Sequence, residues 1–450
     1  MDDPFYRQHL AQLNDSNPVK ATEDIKNAQG QLLLRAGHVL DQTSIDKIVK
    51  FKLLKPIETC IALENQLTAQ GLYDTIESFF CSDPSGVVLW ENANDEVLLM
   101  DCCQRAGSYS LLMQKMTVLA DRLPRLHRKA LFGAWCAQRI FAINGESVER
   151  IYEAFIAGLV HDVGKLHLNP DYIESRRKLE PEEWRQLQAH PLISYQVVRN
   201  IPGLSAEICQ AVRDHHESVD GTGYPANKVA SAIGSLAQIL HLLDSTFAIY
   251  ERNFKPKKKS LSDLIPIIQV SQHYRFNPKA SALVVLLKHI PHTGTAYTPD
   301  RFFGDLVEYV EKKNHYIIEF VALASELNRA VGYNHNNKKL IGLQNILLHI
   351  HITMARSGLI DSTYADWLSQ AGEADLTDTA CREVEDVSLM LLEMLHHCEK
   401  FKVQMQLYLE SDKEQPFIGD IADINQRLNA LVVPTPGDRL SDFMQEVVVT

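Results

Sequence analysis

Three short clusters of this 450-residue chain carry side chains whose types and order suit metal chemistry. His161-Asp162 is followed at once by Gly164-Lys165, His190-Pro191 stands further along, and His215-His216-Glu217 comes after a second, similar interval. Imidazoles beside a carboxylate are ligands for borderline divalent ions such as Zn, Fe or Mn, and no cysteine stands among them to offer a thiolate. Two outlying residues extend the set, His127 well before His161 and Asp244 well after His216. A lone His-Asp pair would be an ordinary capped helix end. The recurrence of histidine at positions 127, 190, 215 and 216 makes that reading hard to keep.

These residues need a scaffold that turns them towards one point. His161 closes a helical pattern in which Ile151, Phe155, Leu159 and Val160 form an inward face, whereas His127 sits on a separate amphipathic helix. Asp244 falls on another, from Leu236 to Tyr250. Helices packed as a bundle can direct such side chains into a shared interior. Directly after the double histidine comes a glycine-rich turn, Asp220-Gly221-Thr222-Gly223-Tyr224-Pro225, a common enough turn when taken alone.

Taken together, His161-Asp162, Gly164-Lys165, His190-Pro191, His215-His216-Glu217, Asp220-Gly221 and Gly223-Tyr224-Pro225 resemble the HD-GYP family, metal-dependent phosphodiesterases of cyclic dinucleotides. The resemblance spans roughly residues 100 to 290, because Ile233-Gly234-Ser235-Leu236-Ala237-Gln238-Ile239 is similar to the family's segment leading to its last ligand. It implies metal ligation by His127, His161, Asp162, His190, His215, His216 and Asp244, with Asp162 bridging, and a substrate phosphate held by Lys165. Two departures stand out. The glutamate that three-metal members carry one turn before the first histidine is replaced by Leu123, so two metals are expected, Fe or Mn. The family's Arg-Pro-Tyr-Arg stretch becomes Arg252-Asn253-Phe254-Lys255, which puts substrate selectivity in doubt.

On that basis a hydroxide bridging two metals would attack phosphorus in line with the departing 3′ oxygen, with Asp162 and Lys165 as the catalytic residues. Arg252 and Lys255 would hold the second phosphate, while Tyr224 and Phe254 are placed for a nucleobase. The expected substrate is a 3′,5′-linked cyclic dinucleotide, either cyclic di-GMP or 3′,3′-cyclic GMP-AMP, opened to the linear form in bacterial second-messenger signalling. Two other functions compete. One is a nucleotide sensor or scaffold that signals to a partner protein through the GYP loop. The other is a general HD nucleotidohydrolase, against which the double histidine and GYP loop argue.

The rest of the chain bounds these readings. Lys and Arg number 45 against 57 Asp and Glu, and the net charge of -12 is the wrong sign for coating DNA or RNA. The acidic start Met1-Asp2-Asp3-Pro4 and the shortness of apolar runs such as Ala282 to Leu287 predict a soluble, cytoplasmic protein with no membrane partner. Eight cysteines without a C-x-x-C pair read as reduced thiols. Trp135 and Tyr195 fall on helix faces and read as core, the run Lys257 to Lys259 as a solvated loop, and His349, His351, His396 and His397 as helix residues without convergent carboxylates.

The expected architecture is mainly α: an HD-domain helical bundle with a small α+β N-terminal module and extra C-terminal helices. Residues 1–62 would form the module, with a hairpin at Asn27-Ala28-Gln29-Gly30 and a helix from about Thr43. Residues 63–295 would form the phosphodiesterase domain, ending at the loop signal Pro291-His292-Thr293-Gly294-Thr295. Residues 296–450 would be helical and free of chemical motifs, with helices over Phe303 to Val331, Lys338 to Ser357 and Val384 to Leu409.

Overall fold

A computed structural model describes residues 4–175, 177, 179–257, 259–275, 281–290, 298–357, 378–411 and 416–441. Among the described residues the fold is mainly helical with four short strands, and it divides into two compact units. The first comprises Met1–Glu217, Tyr224–Ala226 and Ile233–Phe247; the second comprises Ser218–Gly223, Asn227–Ala232 and Ala248–Thr450. The division therefore falls between Phe247 and Ala248, whereas the loop expected to end the domain, at residues 291–295, lies outside the described residues.

In the first unit, strand β1 (Val19–Ala21) pairs antiparallel with β4 (Ile61–Leu63), and β2 (Ile25–Lys26) pairs with β3 (Leu32–Leu34). The β2–β3 turn forms because Asn27 Oδ1 accepts the backbone N–H groups of Gln29 and Gln31, and Gly30 supplies the left-handed φ of 81°. The helix that follows runs Gln42–Ile48, slightly ahead of the expected start, because Asp41 caps it by accepting the Ser44 N–H.

The helices that carry the histidines meet through glycine. The helix Pro124–Ile143 lies against Val148–Val160 so closely that a Cβ on Gly158 would stand 2.5 Å from the Ala134 backbone nitrogen. Further on, a Cβ on Gly164 would stand 2.5 Å from the His190 carbonyl oxygen, which lets the helix His190–Val198 seat its first turn on the segment after Asp162. Only the smallest residue permits these approaches. Trp135 is fully buried, with its Nε1 donating to Asn94 Oδ1 at 3.0 Å, while Tyr195 is half-buried beneath Arg199 and Arg213.

The second unit has its own core, built by Phe303–Ala324, Lys338–Ser357, Asp378–Ser411 and Ile418–Ala430 around Phe320, Leu347, Phe401 and Tyr408. The expected helix from Phe303 to Val331 breaks at Ser325 into Phe303–Ala324 and Glu326–Val331. No helix among the described residues is long and apolar enough to cross a membrane. All eight cysteines are free thiols; seven are buried and Cys81 is exposed.

Candidate functional site

Three histidines gain their orientation from helix ends. His161 caps the C-terminus of Val148–Val160, His215 caps that of Ala206–Asp214, and His190 opens its own helix just beyond Pro181–Leu187. The last carbonyls of a helix have no partner within it, and here each accepts from an imidazole. Nδ1 of His161 lies 2.8 Å from Gly158 O, Nδ1 of His190 lies 2.7 Å from Leu187 O, and Nδ1 of His215 lies 2.6 Å from Val212 O. A carbonyl can only accept, so the proton sits on Nδ1 in all three rings and each neutral ring turns a lone pair on Nε2 towards the interior.

Those lone pairs converge without a donor. His190 Nε2 stands 3.1 Å from Asp162 Oδ1 and 3.3 Å from His215 Nε2, while His215 Nε2 is 3.7 Å from the same Asp162 oxygen. His216 Nε2 and Asp162 Oδ1 are buried without a hydrogen-bond partner. Burial pushes the His190 imidazole down to about 3 and also lowers His215 and His216, so these rings stay neutral. Asp162, His190, His215 and His216 offer ligand atoms all within 4.8 Å of one another. An assembly of buried acceptors lacking donors is costly unless a cation joins it, so these four residues fit a metal ion.

In a second group, His161, Asp162 and Asp244 also bring their ligand atoms close together, but a cation of the chain's own lies within it. Lys129 Nζ contacts both Asp162 Oδ2 and Asp244 Oδ1, and Lys165 Nζ lies 2.8 Å from Asp162 Oδ2. Burial alone would lower the Lys129 pKa, but the two carboxylates raise it, and burial of Asp162 and Asp244 is likewise outweighed by Lys129. Lys129, Asp162 and Asp244 are therefore charged.

His127 does not join either group. Successive helix residues are rotated by about 100°, so positions 127 and 129 point roughly 200° apart and only one can face Asp162. The register is set by Gly133, whose approach to Gly158 and to the His161 ring turns Lys129, one turn earlier, inward. His127 is buried, its Nε2 has no partner, and burial lowers its pKa to about 4. Sequence reasoning missed Lys129 because a histidine on the same helical turn offered the expected ligand type.

The remaining candidates separate by unit. Tyr224 belongs with the histidines: its ring stacks on His216 at 4.7 Å and 17°, and its N–H donates to the His216 carbonyl at 3.1 Å. His241, absent from the sequence reading, lies 3.0 Å through Nδ1 from the His215 carbonyl. Glu217 accepts the Ala226 N–H at 2.6 Å and so ties the far end of the loop to the double histidine. Arg252, Phe254 and Lys255 belong to the second unit, on and after a π-type turn over Tyr250–Phe254. Phe254 is 4% exposed with Lys259 over its ring, so it presents no face to a nucleobase and that expectation is corrected. Lys255 is paired with Glu251 at 2.9 Å, and Arg252 is exposed. None of His349, His351, His396 and His397 enters a metal-competent group among the described residues.

Residues 114–280 match the family model described as "HD domain". The class is thus an HD domain, and its relatives narrow it further. The chain is 30% identical over 129 residues to the 3'3'-cGAMP-specific phosphodiesterase 1 of Vibrio cholerae, covering 29% of each chain. It is 31% identical over 109 residues to the cyclic di-GMP phosphodiesterase PA4108 of Pseudomonas aeruginosa, covering 24% of this chain and 26% of that protein. It is 27% identical over 169 residues to the cyclic di-GMP phosphodiesterase of Thermotoga maritima, covering 36% of this chain and 45% of that one. The matched segment spans less than half the length of each of these relatives. Through this segment the chain is similar to these cyclic dinucleotide phosphodiesterases.

Proposed function

We propose that this chain is a metal-dependent phosphodiesterase that opens a 3′,5′-linked cyclic dinucleotide to the linear dinucleotide. The observation that carries the reading is the convergence of His190 Nε2, His215 Nε2 and Asp162 Oδ1 without a donor, beside the Lys165 ammonium. A phosphodiester is an anion that resists attack, so a site that opens it must neutralise charge on its oxygens. A divalent iron or manganese ion held by Asp162, His190, His215 and His216 supplies Lewis acidity at the phosphoryl group.

The chain's own residues do the rest. Lys165, anchored on Asp162, offers a fixed positive charge to a phosphate oxygen, and being tethered it needs no reorganisation to do so. The three helix-end carbonyls hold the imidazoles in one tautomer, and the tight seat of Gly164 beneath His190 fixes the spacing of the Asp162 and His190 ligands. Tyr224 covers one face of His216 and shields that ligand from water. Both cyclic di-GMP and 3′,3′-cyclic GMP-AMP remain candidate substrates, because relatives are named for each.

The test is a turnover comparison of the two nucleotides under manganese or ferrous iron, with the linear product resolved by chromatography. Cleavage of either supports the reading. Metal binding without cleavage of either overturns it in favour of a nucleotide sensor signalling through the GYP loop.

A further inference from the structure

We infer that Lys129 is a resident cation standing where a second metal would bind, so that the centre holds one metal ion rather than two. The inference rests on the metal-dependent reading above and concerns how many ions that centre can take. Its basis is a division of labour within Asp162. Oδ1 faces His190 and His215, at 3.1 and 3.7 Å from their Nε2 atoms, and has no donor. Oδ2 receives two ammonium groups, from Lys129 and from Lys165. One oxygen is thus open to an ion and the other is taken.

The second group cannot gain an ion without expelling the lysine. Its ligand atoms are His161 Nε2, Asp162 Oδ2 and Asp244 Oδ1, and His161 Nε2 stands 3.6 and 3.7 Å from those two oxygens. Lys129 Nζ contacts both of the same oxygens, so a metal there would share its ligands with an ammonium and sit against a like charge. The lysine has little room to withdraw. It is 9% exposed, and its helix is pinned one turn later by the contact of Gly133 with Gly158 and the His161 ring. These residues do not fit a second metal.

Lys129 is in this account a positioning residue. It fixes the Asp162 carboxylate so that Oδ1 presents to the three-histidine locus, and it keeps Asp244 from recoiling from Asp162.

The test is titration of the metal-stripped full chain with Mn(II) alone, counting ions per chain by elemental analysis and recording the electron paramagnetic resonance spectrum. The wild type is expected to bind one ion, with the six-line signal of an isolated Mn(II). Lys129→Ala is expected to bind a second ion, with a spin-coupled spectrum, and Lys129→Arg to remain at one. Two ions per wild-type chain, none, or a folded Lys129→Ala protein that stays at one overturns the inference. If Lys129→Ala does not fold, the wild-type count and Lys129→Arg decide. One bound ion without hydrolysis of either cyclic dinucleotide would sink the proposed function and leave this inference standing, whereas two ions with hydrolysis would do the reverse.

Discussion

Lys400 Nζ lies 2.8 Å from Asp220 Oδ2, joining residues 180 positions apart in the sequence. The Asp220 side chain is fully buried, its other oxygen accepts from the Thr222 N–H and hydroxyl, and Asn345 donates to its carbonyl. Burial works against this carboxylate, but Lys400 holds it below its ordinary range. The opening residues of the GYP loop are therefore held by helices Lys338–Ser357 and Asp378–Ser411 of the second unit, a region without any chemical motif of its own.

Lys400→Ala should consequently destabilise the chain by about 3–5 kcal/mol, because it leaves a buried carboxylate without its counter-charge. Lys400→Met combined with Asp220→Asn should recover part of that loss, since no uncompensated charge remains. Denaturant unfolding of the two single variants and the pair measures the coupling. An additive result would mean that the pair contributes nothing beyond its separate parts.

His127→Ala should leave the metal content of the protein unchanged and cost a few kcal/mol of stability at most, the usual range for a truncated core side chain. Elemental analysis beside a thermal melt checks both expectations. A drop in bound metal would restore His127 as a ligand and reverse the helix register described here.

The contrast between His127 and Lys129 marks how far the sequence could be read. His161-Asp162, His190 and His215-His216 were legible because histidine is rare, and its pairing with carboxylate at wide, regular intervals has few structural explanations. The rotation of the helix carrying Lys129 was not, since positions 127 and 129 are both buried and the choice between them depends on a tertiary contact, Gly133 on Gly158. Phe254 was misjudged for a similar reason. The π-type turn over Tyr250–Phe254 breaks the helical period that a sequence reading extends through Asp244, so the ring turns inward. The hold of Lys400 on Asp220 was invisible, because no local pattern links a C-terminal helix to a loop so distant in sequence.

Gly164→Ala tests the seat beneath His190. The added methyl carbon would meet the His190 carbonyl oxygen and the Ser194 nitrogen at 2.5 Å, and both are backbone atoms that cannot rotate away. It would also strain the 2.8 Å bond from the Gly164 N–H to Ser194 Oγ. Overpacking of this kind costs about 1–3 kcal/mol, and here it would push the His190 ligand away from Asp162. The variant should melt earlier and bind Mn(II) more weakly than the wild type. Unchanged affinity would show that the helix absorbs the methyl without moving its first residue.

Lys313 carries the last prediction, on pH. Its side chain is 2% exposed, and its Nζ donates to the Ser388 carbonyl at 3.2 Å and to Ser388 Oγ at 2.9 Å, with the Tyr309 ring 3.9 Å away. Burial pushes its pKa from 10.5 down to about 7. Between those two values the unfolded chain holds a proton that the folded chain has released, so stability rises with pH across that window. Below about pH 7 both states are protonated and the full cost of burying the cation is present. Lys313→Met removes the titration. The variant should therefore exceed the wild type in stability by a few kcal/mol at pH 6.5, an order of magnitude set by a shift of several pKa units. That advantage should shrink steadily towards pH 10, where the wild-type lysine is neutral when folded and loses little by burial. Denaturant midpoints for both proteins at pH 6.5, 8 and 9.5 test the sign, and a difference that stays constant across the three would mean that Lys313 titrates near its ordinary value.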